Sequence, residues 1–187
     1  MRHFNFSTSI KTNYLFIYLI TNICFSQSYL GTIKKQVNFR VGPGQDYEII
    51  SSLKPGTQVF ILSTETDDDF YNIIDIKNDK EGYVHKSFVK IGKLISKSDG
   101  SFIQETGNTT SENAEANIFN NTNIIMTLKL NSEVYKFMPK ETKNIVLTPG
   151  DYSFRASAPN VIPNVGVKNF KINGAYNWEF YIETRRR

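Results

Sequence analysis

Val37-Asn38-Phe39-Arg40-Val41-Gly42-Pro43-Gly44, then Lys54-Pro55-Gly56-Thr57, then Glu81-Gly82-Tyr83-Val84-His85, decide the fold of this chain. Two Gly/Pro turns and a closing Gly-aromatic-Val strand separate short β-rich runs, with no helical period between them. Strands are expected near 31–41, 46–52, 57–64, 70–76 and 81–85, with a tight turn at Asp79-Lys80-Glu81-Gly82 and a short turn at 86–89. Five such strands outline a small barrel. Period-2 alternation nominates Leu53, Val59, Ile61, Tyr71, Ile73 and Tyr83 as its core, since one face of each strand must turn inward.

The rest of the chain reads as β structure too. Residues 92–113, with Ser96-Lys97-Ser98-Asp99-Gly100 and Gly107-Asn108-Thr109-Thr110, have linker composition, with one further strand at Ser101-Phe102-Ile103. A second β domain is expected over 114–184. Its strands include Ala116–Phe119, Asn123–Leu130, Glu133–Phe137, Asn144–Leu147, Asp151–Ala156 and the aromatic run Tyr176–Ile182. Asn131-Ser132 suits a two-residue hairpin turn. About seven strands in this length imply a small antiparallel sandwich. The fold class is therefore all-β, a barrel at 27–91 followed by a sandwich.

The N-terminus reads as a leader. Arg2, His3 and Lys11 precede an apolar run, Tyr14 to Ile20 and Ile23 to Phe25, too short to serve comfortably as a permanent membrane helix. Cys24 and Ser26 place small residues at −3 and −1 to a cut before Gln27, so 1–26 is expected to be a cleaved signal peptide. A retained anchor and lipidation at Cys24 are the alternatives. The residues before Cys24, Thr21-Asn22-Ile23, lack the Leu and the small residue that usually precede a lipidated cysteine. The expected location is exported, in the periplasm, at the cell surface or outside the cell.

Charge and missing chemistry narrow function. The formal charge is +4, from 22 basic and 18 acidic residues. Without the leader the count is 20 against 18, and without the basic tail Arg185-Arg186-Arg187 it is 17 against 18. A near-neutral body argues against a nucleic-acid partner. The one cysteine, Cys24, and one of two histidines, His3, leave with the leader, so only His85 remains. No His/Cys metal set, Cys-His pair, Gly-x-Ser-x-Gly elbow or phosphate-binding loop is present. Asp67-Asp68-Asp69 is a solvated loop rather than a Ca²⁺ site, since adjacent strand residues point to opposite faces. No catalytic residue, metal or cofactor is expected, and His85 is expected at the surface.

The motifs at 37–89 resemble the bacterial SH3 domain, the family often written SH3b, whose opening reads roughly Leu-Asn-Val-Arg-x-Gly-Pro and whose last strand reads roughly Gly-Trp-Val. The Leu147-Thr148-Pro149-Gly150-Asp151-Tyr152 stretch resembles a turn of prealbumin-like and other extracellular β-sandwich modules. The SH3b resemblance implies a shallow peptide groove beside the loop after the first strand. Carried to this sequence, its lining is Asn38, Gly42, Pro43, Gly44, Tyr47, Phe70 and Tyr83. Gly42 and Gly44 offer φ > 0 or close approach, and Pro43 stiffens the loop. Phe70 stands where the family usually has Trp, so the indole N–H is lost. Arg40 is expected to pair with a local carboxylate.

The function that follows is a non-enzymatic exported binding protein, holding cell-wall peptide or an extended protein segment in the envelope. The alternative is a structural or accessory subunit of an envelope or secretion assembly that acts by protein–protein contacts, through strand edges suited to β-augmentation. Membrane contact is expected only through an uncleaved leader.

Overall fold

The structure, a computed structural model, describes residues 27–182. The leader with its cleavage site and Cys24, and the tail Arg185-Arg186-Arg187, lie outside the described residues. Among the described residues no helix is long and apolar enough to cross a membrane.

The N-terminal unit is one strongly bent sheet of seven strands. They are β1 (Ser28–Ile33), β2 (Val37–Arg40), β3 (Ile49–Leu53), β4 (Gln58–Ile61), β5 (Phe70–Asp75), β6 (Lys80–His85) and β7 (Val89–Ile95), in the order β3-β2-β6-β5-β4-β1-β7. All the pairs are antiparallel. A 3₁₀ turn at Lys86–Phe88 links β6 to β7. The strand expected over 31–41 is two strands. Its chain breaks after Ile33, whose carbonyl accepts from Gly56 N–H (2.8 Å), while Lys34 N–H donates to the Phe88 carbonyl (2.8 Å).

Ile33, Phe39, Leu53, Val59, Ile61, Ile73, Val84 and Val89 form the barrel core. Tyr83 does not belong to it. In β6 the inward positions are Gly82 and Val84, so alternation turns Tyr83 to the other face, where it is half-buried. Tyr71 packs against the core from a half-buried position.

The second unit packs two four-stranded sheets face to face. Its strands are β8 (Gln104–Asn108), β9 (Ala114–Asn120), β10 (Met126–Leu130), β11 (Glu133–Phe137), β12 (Thr142–Leu147), β13 (Gly150–Ala158), β14 (Val161–Phe170) and β15 (Gly174–Phe180). One sheet runs β11-β10-β13-β14 and the other β12-β9-β15-β8. Clean alternation drives this: Ala114, Ala116 and Ile118 of β9, Met126, Leu128 and Leu130 of β10, and Tyr176, Trp178 and Phe180 of β15 all face the interior. Phe102, Phe154 and Trp178 meet there with ring centroids 5.3–5.7 Å apart. Asn131-Ser132 makes the β10–β11 turn, with Asn131 at φ 51°. At the Pro149-Gly150 turn, the Tyr152 hydroxyl returns to the Thr148 carbonyl (3.2 Å).

Two features depart from the sequence reading. β9 and β15 pair in parallel within an otherwise antiparallel sandwich. The stretch read as a linker, 92–113, contains the end of β7 and all of β8, and Ser98 bridges to Gly166 on the edge of β14. Ser101-Phe102-Ile103 is a turn, closed by Ile103 N–H on the Gly100 carbonyl (2.9 Å).

The two units meet along a seam. Phe60, Ile74 and Ile76 of the barrel enclose Val165 of β14, with Leu30, Leu62 and Ile95 at the margin. This contact explains why Ile73, Ile74 and Asp75 are all buried although they alternate in direction: inner and outer faces of β5 are both covered. Polar contacts flank the patch. Arg155 Nη1 donates to Glu81 Oε2 (2.8 Å), Lys129 Nζ reaches the same oxygen (3.5 Å), and Thr127 Oγ1 donates to Asp79 Oδ2 (2.8 Å).

Candidate functional site

An open groove on the barrel follows from how β2 meets β6. Their ladder is one pair long, Arg40 with Tyr83. Past that pair the strands part, leaving an open groove of about 650 Å³ between Asn38 on one side and Phe70 and His85 on the other. Gln36, Ser52, Ser87 and Phe88 complete most of its lining.

Its floor is aromatic. Phe70 is buried, and the β5–β6 register sets it opposite His85, with the rings edge to face at 5.3 Å. The Phe88 ring lies 6.1 Å beyond His85. The His85 ring is fixed by the 3₁₀ turn that it caps: Nδ1 accepts from Ser87 N–H (3.3 Å) and contacts Ser87 Oγ at 2.7 Å. A neutral imidazole that accepts at Nδ1 carries its proton on Nε2, which is then available as a donor.

The rim is built of amides and hydroxyls. Gln36 Nε2 donates to Ser52 Oγ (3.1 Å) across the β2–β3 hairpin. No carboxylate is among the lining residues, and the one permanent cation, Arg40, is engaged: its Nη1 donates to the Tyr47 carbonyl at 2.6 Å. Arg40 therefore pairs with a main-chain carbonyl and not with the expected carboxylate. It ties down the loop after β2.

Of the residues named from sequence, Asn38 and Phe70 line this groove; Gly42, Pro43, Gly44, Tyr47 and Tyr83 do not. Gly42, Pro43, Gly44 and Tyr47 belong to the loop after β2, and Tyr83 pairs with Arg40 from β6. Tyr47 lies against Gly42 and Gly44, and neither glycine has φ > 0. The glycines make room for the ring. Burial, then the charges of Glu81, Asp67 and Tyr47, raise the Tyr83 hydroxyl above its ordinary value. His85, Ser87 and Phe88 were missed. The signal for His85 was the pairing of β5 with β6, which puts it across from Phe70.

Asp67-Asp68-Asp69 forms a turn, with Asp68 and Asp69 at φ 46° and 67°. Asp69 pairs with Lys86 at 2.6 Å, and that hydrogen bond and charge lower its pKa while raising that of Lys86. Among the described residues no group of His, Cys, Asp or Glu is placed to hold a metal ion.

A bent antiparallel sheet with an open, aromatic-floored groove at the splayed β2–β6 junction defines an SH3-like binding barrel. Residues 35–90 match the family of the bacterial SH3 domain. No curated protein and no solved structure matches the chain.

Proposed function

We propose that this protein is exported and uses the β2–β6 groove to hold an extended peptide of the cell envelope, wall stem or bridge peptide being the leading ligand. The observation that carries the reading is the groove's composition: an aromatic floor of Phe70, His85 and Phe88 under a rim of Gln36, Asn38, Ser52 and Ser87. Edge-to-face rings supply contact area with few torsions to freeze, and neutral amides and hydroxyls suit peptide N–H and C=O groups. One open groove buries little area, so modest affinity follows.

Purified sacculi give the direct test. The chain is expected in the pellet, and Asn38→Ala with His85→Ala is expected to shift it toward the supernatant. Native protein left wholly in the supernatant removes the wall ligand. A second reading, an accessory subunit of an envelope assembly, draws support from β8, an edge strand whose five residues are all exposed and open to β-augmentation. Crosslinking in intact cells separates the two readings, because the second requires one dominant protein partner. Fractionation of cells producing the native chain tests export.

A further inference from the structure

The solvent face of the sheet β12-β9-β15-β8 carries a row of carboxamides that crosses all four strands. In register, Asn144 pairs with Asn117, Asn117 with Asn177, and Asn177 with Gln104, and all four are exposed. Their outward direction is set by the core: Asn117 lies between buried Ala116 and Ile118, and Asn177 between buried Tyr176 and Trp178. Asn117 Nδ2 donates to Asn144 Oδ1 at 2.6 Å, which gives the first two amides a common orientation. Asn144, Asn117 and Asn177 of the row line a depression of about 160 Å³ bordered by Thr106, Ala175 and Val146. With strands ~4.8 Å apart, three steps make the row ~14 Å long, the reach of a short oligosaccharide.

The charge pattern selects the ligand. At the outward positions of these strands the ionised groups are Glu115, beside the row, and Glu179, one pair further along β15. No Lys or Arg stands there. A face kept only for solubility intersperses charges of both signs; this one has amides in register and two carboxylates. Such a face offers phosphate, sulfate and uronate polymers no cation at its outward strand positions to pair with. Carboxamides offer donor and acceptor together, and carboxylates accept from paired hydroxyls. Val146, 63% exposed, and half-buried Phe119 offer apolar surface to the C–H side of a sugar ring.

We propose that this face binds a neutral polyhydroxylated chain, a segment of uncharged glycan. The site is separate from the barrel groove and does not depend on the groove's ligand. The test is an NMR titration of the ¹⁵N-labelled full chain with chitotetraose, cellotetraose, maltotetraose and, as the charged comparison, tetragalacturonate. At least one neutral tetrasaccharide is expected to shift the side-chain amide signals of Asn117 and Asn177. The double variant Asn117→Ala/Asn177→Ala is expected to weaken that binding about tenfold, the worth of one or two neutral hydrogen bonds, with the melting temperature unchanged. His85→Ala in the barrel groove is expected to leave it unaltered. Three results overturn the proposal: no neutral sugar moving these signals at millimolar concentration, tetragalacturonate binding at this face, or concentration-dependent broadening of the same signals without sugar, which would identify a second copy of the chain as the occupant.

Discussion

A side-chain carbon added at Gly82 would lie 2.5 Å from the Arg40 carbonyl oxygen and 2.6 Å from the ring of Phe39, which is fully buried. Neither neighbour can yield, because one is main chain and the other is held by the barrel core. Gly82→Ala is therefore expected to destabilise by about 2–3 kcal/mol, as overpacking does in a closed site. Gly42 is the informative contrast. An added carbon there would lie 2.3–2.6 Å from atoms of the Tyr47 ring, but that ring is half exposed and free to swing away. Gly42→Ala is expected to cost under ~1 kcal/mol and to move the ring. Urea melts read the first difference. The Gly44 Hα signals read the second, since they should lose the ring-current shift that the packed Tyr47 imposes. Equal destabilisation by the two variants would refute this account of where the barrel is tight. Read from sequence, both glycines of the Gly42-Pro43-Gly44 loop suggest a positive φ, whereas their use is space for an aromatic ring. A sequence shows that Gly is required more readily than why.

Among the elements, the end of β9 carries the most concentrated polar packing. Asn120 is fully buried, and its Nδ2 donates to the carbonyls of Ile124 (2.9 Å), Met138 (2.9 Å) and Phe137 (3.2 Å). Its Oδ1 accepts from Thr122 N–H (3.1 Å) and Thr122 Oγ1 (2.7 Å). One side chain thus joins the loop after β9 to the loop after β11. Asn120→Ala leaves buried carbonyls without a donor and is expected to cost about 2–3 kcal/mol in denaturant melts. Asn120→Asp, almost the same shape, is expected to be at least as damaging at neutral pH, because it sets an anion against those carbonyls. A well-tolerated Asp would mean that shape, not hydrogen bonding, holds these loops. Nothing in the sequence distinguishes Asn120 from the polar loop residues that follow it. Strands β9, β10 and β15 were legible because apolar and polar residues alternate along them. Strand β8 was not: Gln104-Glu105-Thr106-Gly107-Asn108 is exposed throughout and is held by main-chain pairing to β15. The parallel β9–β15 pair joins strands far apart in the chain, where local pattern carries no information. In the groove, Asn38 and Phe70 were legible from the opening motif and the aromatic at the start of β5. His85 needed the β5–β6 register, which depends on how the strands pair rather than on any one of them.

At the scale of the molecule, the question is whether barrel and sandwich behave as one body. Burial works against the Glu81 carboxylate, but the Arg155 charge and hydrogen bond, the Asn72 amide and Lys129 outweigh it and hold its pKa below the ordinary 4.5. A lowered carboxylate pKa means that the unfolded chain binds the proton more tightly. The seam's ionic stabilisation is then fully present above pH ~4.5 and is lost as pH falls through the folded value. The side chains are 30% exposed for Glu81 and 12% for Arg155, and Arg155 Nε and Asn72 Oδ1 are buried without a hydrogen-bond partner. So partial a pairing places the worth of Glu81 between that of surface and buried pairs, about 1–2 kcal/mol. Glu81→Gln is expected to lower stability by that amount at pH 7 and to approach the native chain as pH falls through the lowered folded pKa of Glu81. A constant difference across this range would show that Glu81 acts through shape alone. The apolar half of the seam has its own probe. Val165 is buried against Phe60, Ile74 and Ile76 of the other unit, outside the sandwich's own core. Val165→Asp puts a charge into that patch while leaving both cores intact, so calorimetry is expected to resolve two transitions where the native chain shows one. Two transitions in the native chain, or one undivided transition in the variant, would show that this seam does not couple the two units.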